Sequence, residues 1–181
     1  MESAHWKWVD RLDAESFREL MLSYGQDVWN YAFTLTRSPV MADDVSQDVF
    51  LQVYRSIGSF RGQSSIRTWL LAITRNIAYN HRRTAFVRKV MLVDRYVPRD
   101  SHPSAEHEAI ELMLTEDVWE IVMKLPVKFR EVLVLDAKYG LTYKEIAQLL
   151  GLSEGTVKSR LSRARDKVSA AWKEEFVHER A

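Results

Sequence analysis

Two stretches of the chain set cations beside groups that can read or stack on nucleic-acid bases. Residues 158–173 carry six basic side chains (Lys158, Arg160, Arg163, Arg165, Lys167 and Lys173) against one acid, Asp166. Residues 53–95 carry nine, from Arg55 to Arg95, against Asp94 alone. Trp69, Asn76, Tyr79 and Asn80 lie among those nine. Aromatic rings stack on unstacked bases, amides read base edges and guanidinium groups hold phosphate. Between the two patches, residues 100–121 carry seven acids and neither Lys nor Arg. Two cationic patches around an acidic segment suit two contacts with one polyanion, a feature that the net charge of +1 conceals.

Covalent chemistry is poorly supplied by comparison. The chain has no cysteine, which excludes disulfides, thiolate zinc sites and Cys nucleophiles and fits a reducing compartment. His102 and His107, five residues apart, do not stack on one helical face, so no metal site is expected. There is no Walker-type glycine loop and no recognisable Ser/His/Asp motif. Asp43, Asp44 and Asp48 are the only clustered carboxylates that a nuclease could use, and Asp43 points away from the other two. No catalytic residue, cofactor or small-molecule substrate is assigned.

The elements that must position the cations read as helices. Apolar residues make up 46% of the chain, and only six Gly and four Pro interrupt it, which favours helices over short strands and tight turns. Near the C-terminus, Thr142, Tyr143, Lys144 and Glu145 have the spacing of a capping box. Ile146, Ala147, Leu149 and Leu150 form the apolar face of a short helix. Gly151 suits its left-handed end, Leu152 fills the turn and Ser153 can cap a second helix. Helix, glycine turn and helix is the grammar of a DNA-binding helix-turn-helix.

On the second helix, Val157, Leu161, Ala164 and Val168 form a narrow core stripe at 100° per residue. Gly155, Ser159, Ser162, Arg163 and Asp166 lie roughly opposite. Lys158 and Arg165 flank one side, Arg160 and Lys167 the other. Such a helix can enter a major groove with Arg163 at base edges and the flanking cations near phosphates. The angle of Lys158 leaves a phosphate or a mixed contact open.

Upstream, an apolar block from about residue 14 precedes the break at Ser38-Pro39. Residues 41–57 are expected to form a third helix and residues 65–83 a fourth. On the third, Val45, Val49, Phe50, Val53 and Ile57 form the buried side, and Asp44, Gln47, Asp48 and Arg55 surround an outward Leu51. An apolar anchor within polar orienting groups is what a partner surface needs. On the fourth, Ile66, Leu70, Ile73 and Ile77 form the core stripe. Trp69, Asn76, Asn80 and Arg83 follow an adjacent stripe, with Tyr79 beside it. Trp69 reads equally as core or as stacking platform. Residues 85–105, charged and broken by Pro98 and Pro103, read as a linker, with a further helix starting near Ser104. The N-terminus has neither the basic segment nor the apolar run of a secretory signal, and no apolar stretch reaches membrane-spanning length, so the cytoplasm is the expected compartment.

These stretches resemble a known family, the extracytoplasmic-function sigma factors. Leu125-Pro126-Val127-Lys128-Phe129-Arg130-Glu131-Val132 and Leu141-Thr142-Tyr143-Lys144-Glu145-Ile146-Ala147 resemble region 4 of that family. Residues 155–165 (Gly-Thr-Val-Lys-Ser-Arg-Leu-Ser-Arg-Ala-Arg) are similar to its recognition helix. Residues 42–51 (Ala-Asp-Asp-Val-Ser-Gln-Asp-Val-Phe-Leu) resemble region 2.2, and Phe60-Arg61-Gly62 with Thr68-Trp69-Leu70 and Ile73 resembles regions 2.3 and 2.4. Ser46 and Asp48 stand where the family often has an apolar residue and Glu.

The resemblance implies an all-α chain of two small helical domains: region 2 over residues 14–84, a linker over 85–104 and region 4 over 105–176. It implies core RNA polymerase as partner, through the β′ coiled coil and the β flap, with Asp44, Gln47, Asp48, Leu51 and Arg55 at the coiled coil. It places recognition of the −10 element at Trp69, Asn76, Tyr79, Asn80 and Arg83, with Phe60, Arg61, Gly62, Gln63 and Ser64 forming a loop around a flipped base. It places the −35 contact at Ser153, Gly155, Thr156, Lys158, Ser159, Ser162, Arg163 and Arg165. It also implies an anti-sigma partner, often membrane-bound. A helix-turn-helix repressor would explain the C-terminal half but not the second basic patch. A recombinase or nuclease would need a better carboxylate cluster or a Ser nucleophile.

Overall fold

In the computed structural model, which describes residues 12–91 and 116–174, the chain divides into two compact units, residues 1–104 and 105–181. The described residues contain helices and no strand. In the first unit, α1 (Ala14–Thr36), α2 (Pro39–Ser56) and α3 (Ile66–Met91) pack pairwise into a three-helix bundle.

The boundaries follow from local chemistry. Asp13 caps α1, its carboxylate accepting the Ser16 N–H at 2.8 Å. That bond holds the Asp13 carboxyl below its ordinary value of 3.8. Arg37 closes α1 in the left-handed region at φ 58°, and its N–H donates to Phe33 O at 2.8 Å. Ser38 then caps α2, with Pro39 in its first turn. The apolar block before Ser38 is one continuous helix, so the stretch expected to be a third helix is the second. Gly25 does not break α1, since one glycine in a helix costs only about 1 kcal/mol and the buried stripe of Leu20, Tyr24, Val28, Tyr31 and Leu35 continues through it.

A 3-10 turn, Ile57–Ser59, follows α2. Ser65 then caps α3, its Oγ accepting the Thr68 N–H at 3.0 Å. The core stripe of α3 is rotated from the one expected. Ile66 and Leu70 are buried, but they continue as Leu71, Thr74 and Ala78, while Ile73 and Ile77 are only half-buried. Thr74 enters the core because its hydroxyl donates to Leu70 O at 2.8 Å, leaving its methyl to pack. α3 also continues to Met91, past the expected 84/85 boundary; Thr84, Ala85 and Phe86 include no Gly or Pro to stop it. The helix start expected near Ser104 lies outside the described residues, as do His102 and His107.

In the second unit, α4 (Glu116–Lys124), α5 (Val127–Ala137) and α6 (Tyr143–Leu150) each pack on α7 (Glu154–Trp172). α7 is therefore the central helix, and α5 is its most buried neighbour. Phe129, Val132, Val134 and Leu135 bury sides that no single stripe could cover, as an all-round apolar helix must. Arg130 and Glu131 are buried with them. The Arg130 guanidinium donates to Met123 O at 2.7 Å and Leu125 O at 3.1 Å. It therefore satisfies carbonyls at the end of α4, where a cation is also favoured by the helix dipole. The α6 capping box forms as its spacing predicts: Thr142 Oγ1 accepts the Glu145 N–H at 3.3 Å, and Glu145 Oε2 accepts the Thr142 N–H at 2.8 Å. Gly151 ends α6 at φ 65°, a region that a side chain would disfavour.

Candidate nucleic-acid and partner interfaces

The outward face of α2 matches its expected composition. Asp44, Gln47, Asp48, Leu51 and Arg55 are all exposed, and Leu51 keeps 52% of its surface. Val40 at 59% and Tyr54 at 54% extend that face with more apolar area than the sequence had singled out. Asp48 also engages α3: its Oδ2 lies 2.7 Å from His81 Nε2, while its side chain keeps half its exposure. Asp43, set apart from this face as expected, accepts the Trp29 indole N–H at 2.7 Å.

On α3, Asn76, Asn80 and Arg83 are exposed along one stripe, and Trp69 is half-buried at its start. Phe60 is only 4% exposed, and its ring lies 5.3 Å from that of Trp69. Phe60 is therefore an anchor under the loop, not a surface that meets a base; the apolar ring is held by Trp69 and the α2–α3 core. The loop itself stays accessible, with Arg61 and Gln63 exposed and Gly62 and Ser64 half-buried. Gly62 turns it at φ 64°. Tyr79, expected to stack on bases, carries cations on its ring in the free protein. The Arg75 guanidinium lies 4.6 Å from its ring centroid and that of Arg82 5.5 Å, so cations already engage the ring. An ion pair that the sequence reading missed, Arg67 to Asp27 at 2.9 Å, ties the start of α3 to α1. Its partly exposed partners make it worth at most about 1 kcal/mol.

On α7, Val157, Leu161 and Ala164 are buried and Val168 half-buried, while Gly155, Lys158, Ser159, Ser162, Arg163 and Arg165 are exposed. Ser153 caps the helix, its Oγ accepting the Thr156 N–H at 3.1 Å and lying 2.9 Å from Thr156 Oγ1. These two hydroxyls are thus committed first to the helix start. The two flanks differ. Arg160, expected near phosphate, reaches inward to Glu131 at 3.9 Å, because a carboxylate buried in α5 needs a cation nearby. Arg165 donates to Asp136 Oδ2 at 2.8 Å, so it too has a partner before any DNA arrives, although its side chain remains 54% exposed. The signal for Glu131 was present in the sequence, as a charge within the apolar run of α5.

Two family descriptions match the chain in the order of these faces: "Sigma-70 region 2" over residues 20–85 and "Sigma-70, region 4" over residues 115–168. The RNA polymerase sigma-H factor of Pseudomonas aeruginosa is 31% identical over 172 residues, which span 90% of this chain and 89% of that protein. The ECF (extracytoplasmic-function) RNA polymerase sigma-E factor of Escherichia coli is 31% identical over 179 residues, spanning 88% of each. The chain is an extracytoplasmic-function sigma factor. Solved structures agree on the fold. The sigma factor RpoE of Bartonella quintana, crystallised with the anti-sigma factor NepR, superposes with a TM-score of 0.73 at 24% identity, covering 90% of this chain and 99% of that one. CnrH, solved with the cytosolic domain of CnrY, gives 0.61 at 26% identity, covering 90% and 91%.

As a sigma factor, the protein is a transcription initiation factor, and the two matched regions contain the three faces: α2 and α3 in region 2, α7 in region 4. Among the described residues, no helix of this sigma factor is long and apolar enough to cross a membrane, and no cluster of His, Cys, Asp or Glu could hold a metal ion.

Proposed function

We infer that this sigma factor docks on core RNA polymerase through the α2 face and directs it to promoters by two DNA contacts, one per unit. Leu51, with Asp44, Gln47, Asp48 and Arg55 around it, is the anchor for the β′ coiled coil, and region 4 meets the β flap. Asn76, Asn80 and Arg83, with Trp69 and the loop of Arg61, Gly62, Gln63 and Ser64, receive the opened −10 strand. Gly155, Lys158, Ser159, Ser162, Arg163 and Arg165 meet the −35 duplex. Opening a duplex costs a few kcal/mol per extruded base, so a protein that melts DNA must bind the opened strand, and the amide stripe of α3 is suited to that.

The observation that carries this reading is the pairing, in one chain, of a capped recognition helix with a second exposed cationic helix bearing amides. A single-helix-turn-helix repressor has no use for the second. An anti-sigma partner, membrane-anchored or soluble, holds the protein inactive in the cytoplasm; the complexes in which the two relatives were solved support that expectation. The chain itself performs no catalysis. The test is reconstitution: core enzyme plus the purified protein should co-elute and give new transcripts from the encoding genome. Failure to associate with core at micromolar concentrations would overturn the assignment.

A further inference from the structure

Arg165 and Lys158 lie seven residues apart on the same flank of α7, about 10.5 Å along its axis at 1.5 Å per residue. Both are tied to groups outside their own helix. The Arg165 guanidinium donates to Asp136 on α5 at 2.8 Å. The Lys158 ammonium lies 5.9 Å from the centroid of the Tyr143 ring, at the first residue of α6. One carboxylate thus holds Arg165, and one aromatic ring lies beside Lys158.

We propose that Asp136 and Tyr143 are positioning residues for DNA, which hold Arg165 and Lys158 as a fixed row for the phosphates of one strand. This deepens the reading of α7 as the duplex-binding helix and rests on it. The Arg165 fork has five N–H donors, so engagement by Asp136 leaves donors for phosphate while removing rotamer freedom that binding would otherwise have to quench. Arginine stays protonated in proteins. The charge is therefore secure.

The proposal makes a prediction of sign. Asp136 is an anion beside a surface that approaches DNA, so simple electrostatics predicts that its removal tightens binding. Positioning predicts that removal weakens binding, and only while Arg165 is present. The probe is a labelled mixed-sequence duplex two helical turns long, since phosphate contacts do not need a particular promoter. Full-length wild type, Asp136→Ala, Arg165→Ala and the double variant are titrated at several salt concentrations, with thermal melts alongside.

Asp136→Ala should weaken binding by about two- to fivefold, the range for coupling through an exposed ion pair. It should have no such effect in the Arg165→Ala background. Asp136→Glu should restore affinity. Tyr143→Leu, which removes the ring near Lys158, should lose part of the Lys158 effect. If Asp136→Ala melts early, Asp136→Asn takes its place in the cycle. Equal tightening by the Asp136 variant in both backgrounds, or additive weakening, overturns positioning. If Arg165→Ala and Lys158→Ala both leave affinity and salt slope unchanged, the duplex-binding reading of α7 itself fails, which is a different result.

Discussion

Gly155 offers a perturbation whose two consequences have opposite signs. It is the second residue of α7, and a Cβ built there would meet only Ser153 Oγ, at 3.9 Å, an ordinary contact. Its φ does not lie in the left-handed region, since among the described glycines only Gly62, Gly140 and Gly151 do. Nothing within the protein therefore requires glycine. Gly155→Ala should stabilise region 4 by about 0.4–1 kcal/mol, because it reduces the freedom of the unfolded chain. For a unit of this size, that raises the melting temperature by roughly 2–8 °C. Hydrogen exchange of α6 and α7 would register the same gain locally.

At the DNA the effect reverses. Thr156 N–H is taken by Ser153, while the amides of Glu154 and Gly155 sit at positions with no intrahelical acceptor, and such amides are ready donors to phosphate. A methyl group between them and the backbone would keep the strand away. Loss of one hydrogen bond to a charged group costs about 1.5–3 kcal/mol, a tenfold or greater loss of affinity. Fluorescence anisotropy with the two-turn duplex measures it. A Gly155→Ala protein that is more stable yet binds DNA as tightly as wild type would refute the close approach. One that is less stable would refute the premise that the space is empty.

Other expectations follow from the same faces. Leu51→Asp should abolish co-elution with core polymerase while shifting stability by less than about 0.5 kcal/mol, as exposed positions do; unchanged co-elution removes this face from the argument. Leu51 is the cleaner target than Asp48, whose replacement also breaks the bond to His81. Asn80→Ala and Arg83→Ala should reduce permanganate-detected promoter opening more than polymerase association; normal opening would show that the stripe is misassigned. The Asp13 carboxyl is held below 3.8, so its contribution to the α1 cap is complete above that value and lost as pH falls through the lowered one. Protection of the Ser16 amide should fall across that acidic window in the wild type and stay level in Asp13→Asn; a level wild-type profile would count against the cap.

Periodicity and capping chemistry, which are local, were legible from the residues alone. The recognition helix, its cap at Ser153, the capping box at Thr142 and the left-handed Gly151 all emerge where their spacing placed them. So do the buried side of α2 and the exposure of Leu51. Each depends on residues within one or two turns of each other, and 3.6-residue geometry fixes those relations before any packing occurs.

What only the tertiary structure decided is how polar groups pair across helices. On a helical wheel Arg160 and Arg165 are both cations flanking the core stripe, one on each side. One turns inward to the buried Glu131 and the other is held at the surface by Asp136. Asp48 faces His81 across 33 positions of chain, and Arg75 and Arg82 converge on Tyr79. The core stripe of α3 shifted towards Leu71, Thr74 and Ala78 because α1 and α2 together, and not the apolar residues of α3 alone, set which side is enclosed. A wheel ranks side chains by hydrophobicity around one axis. The partner of a long, flexible charged side chain is chosen by which neighbouring helix brings an opposite charge within about 4 Å, and no single helix carries that information.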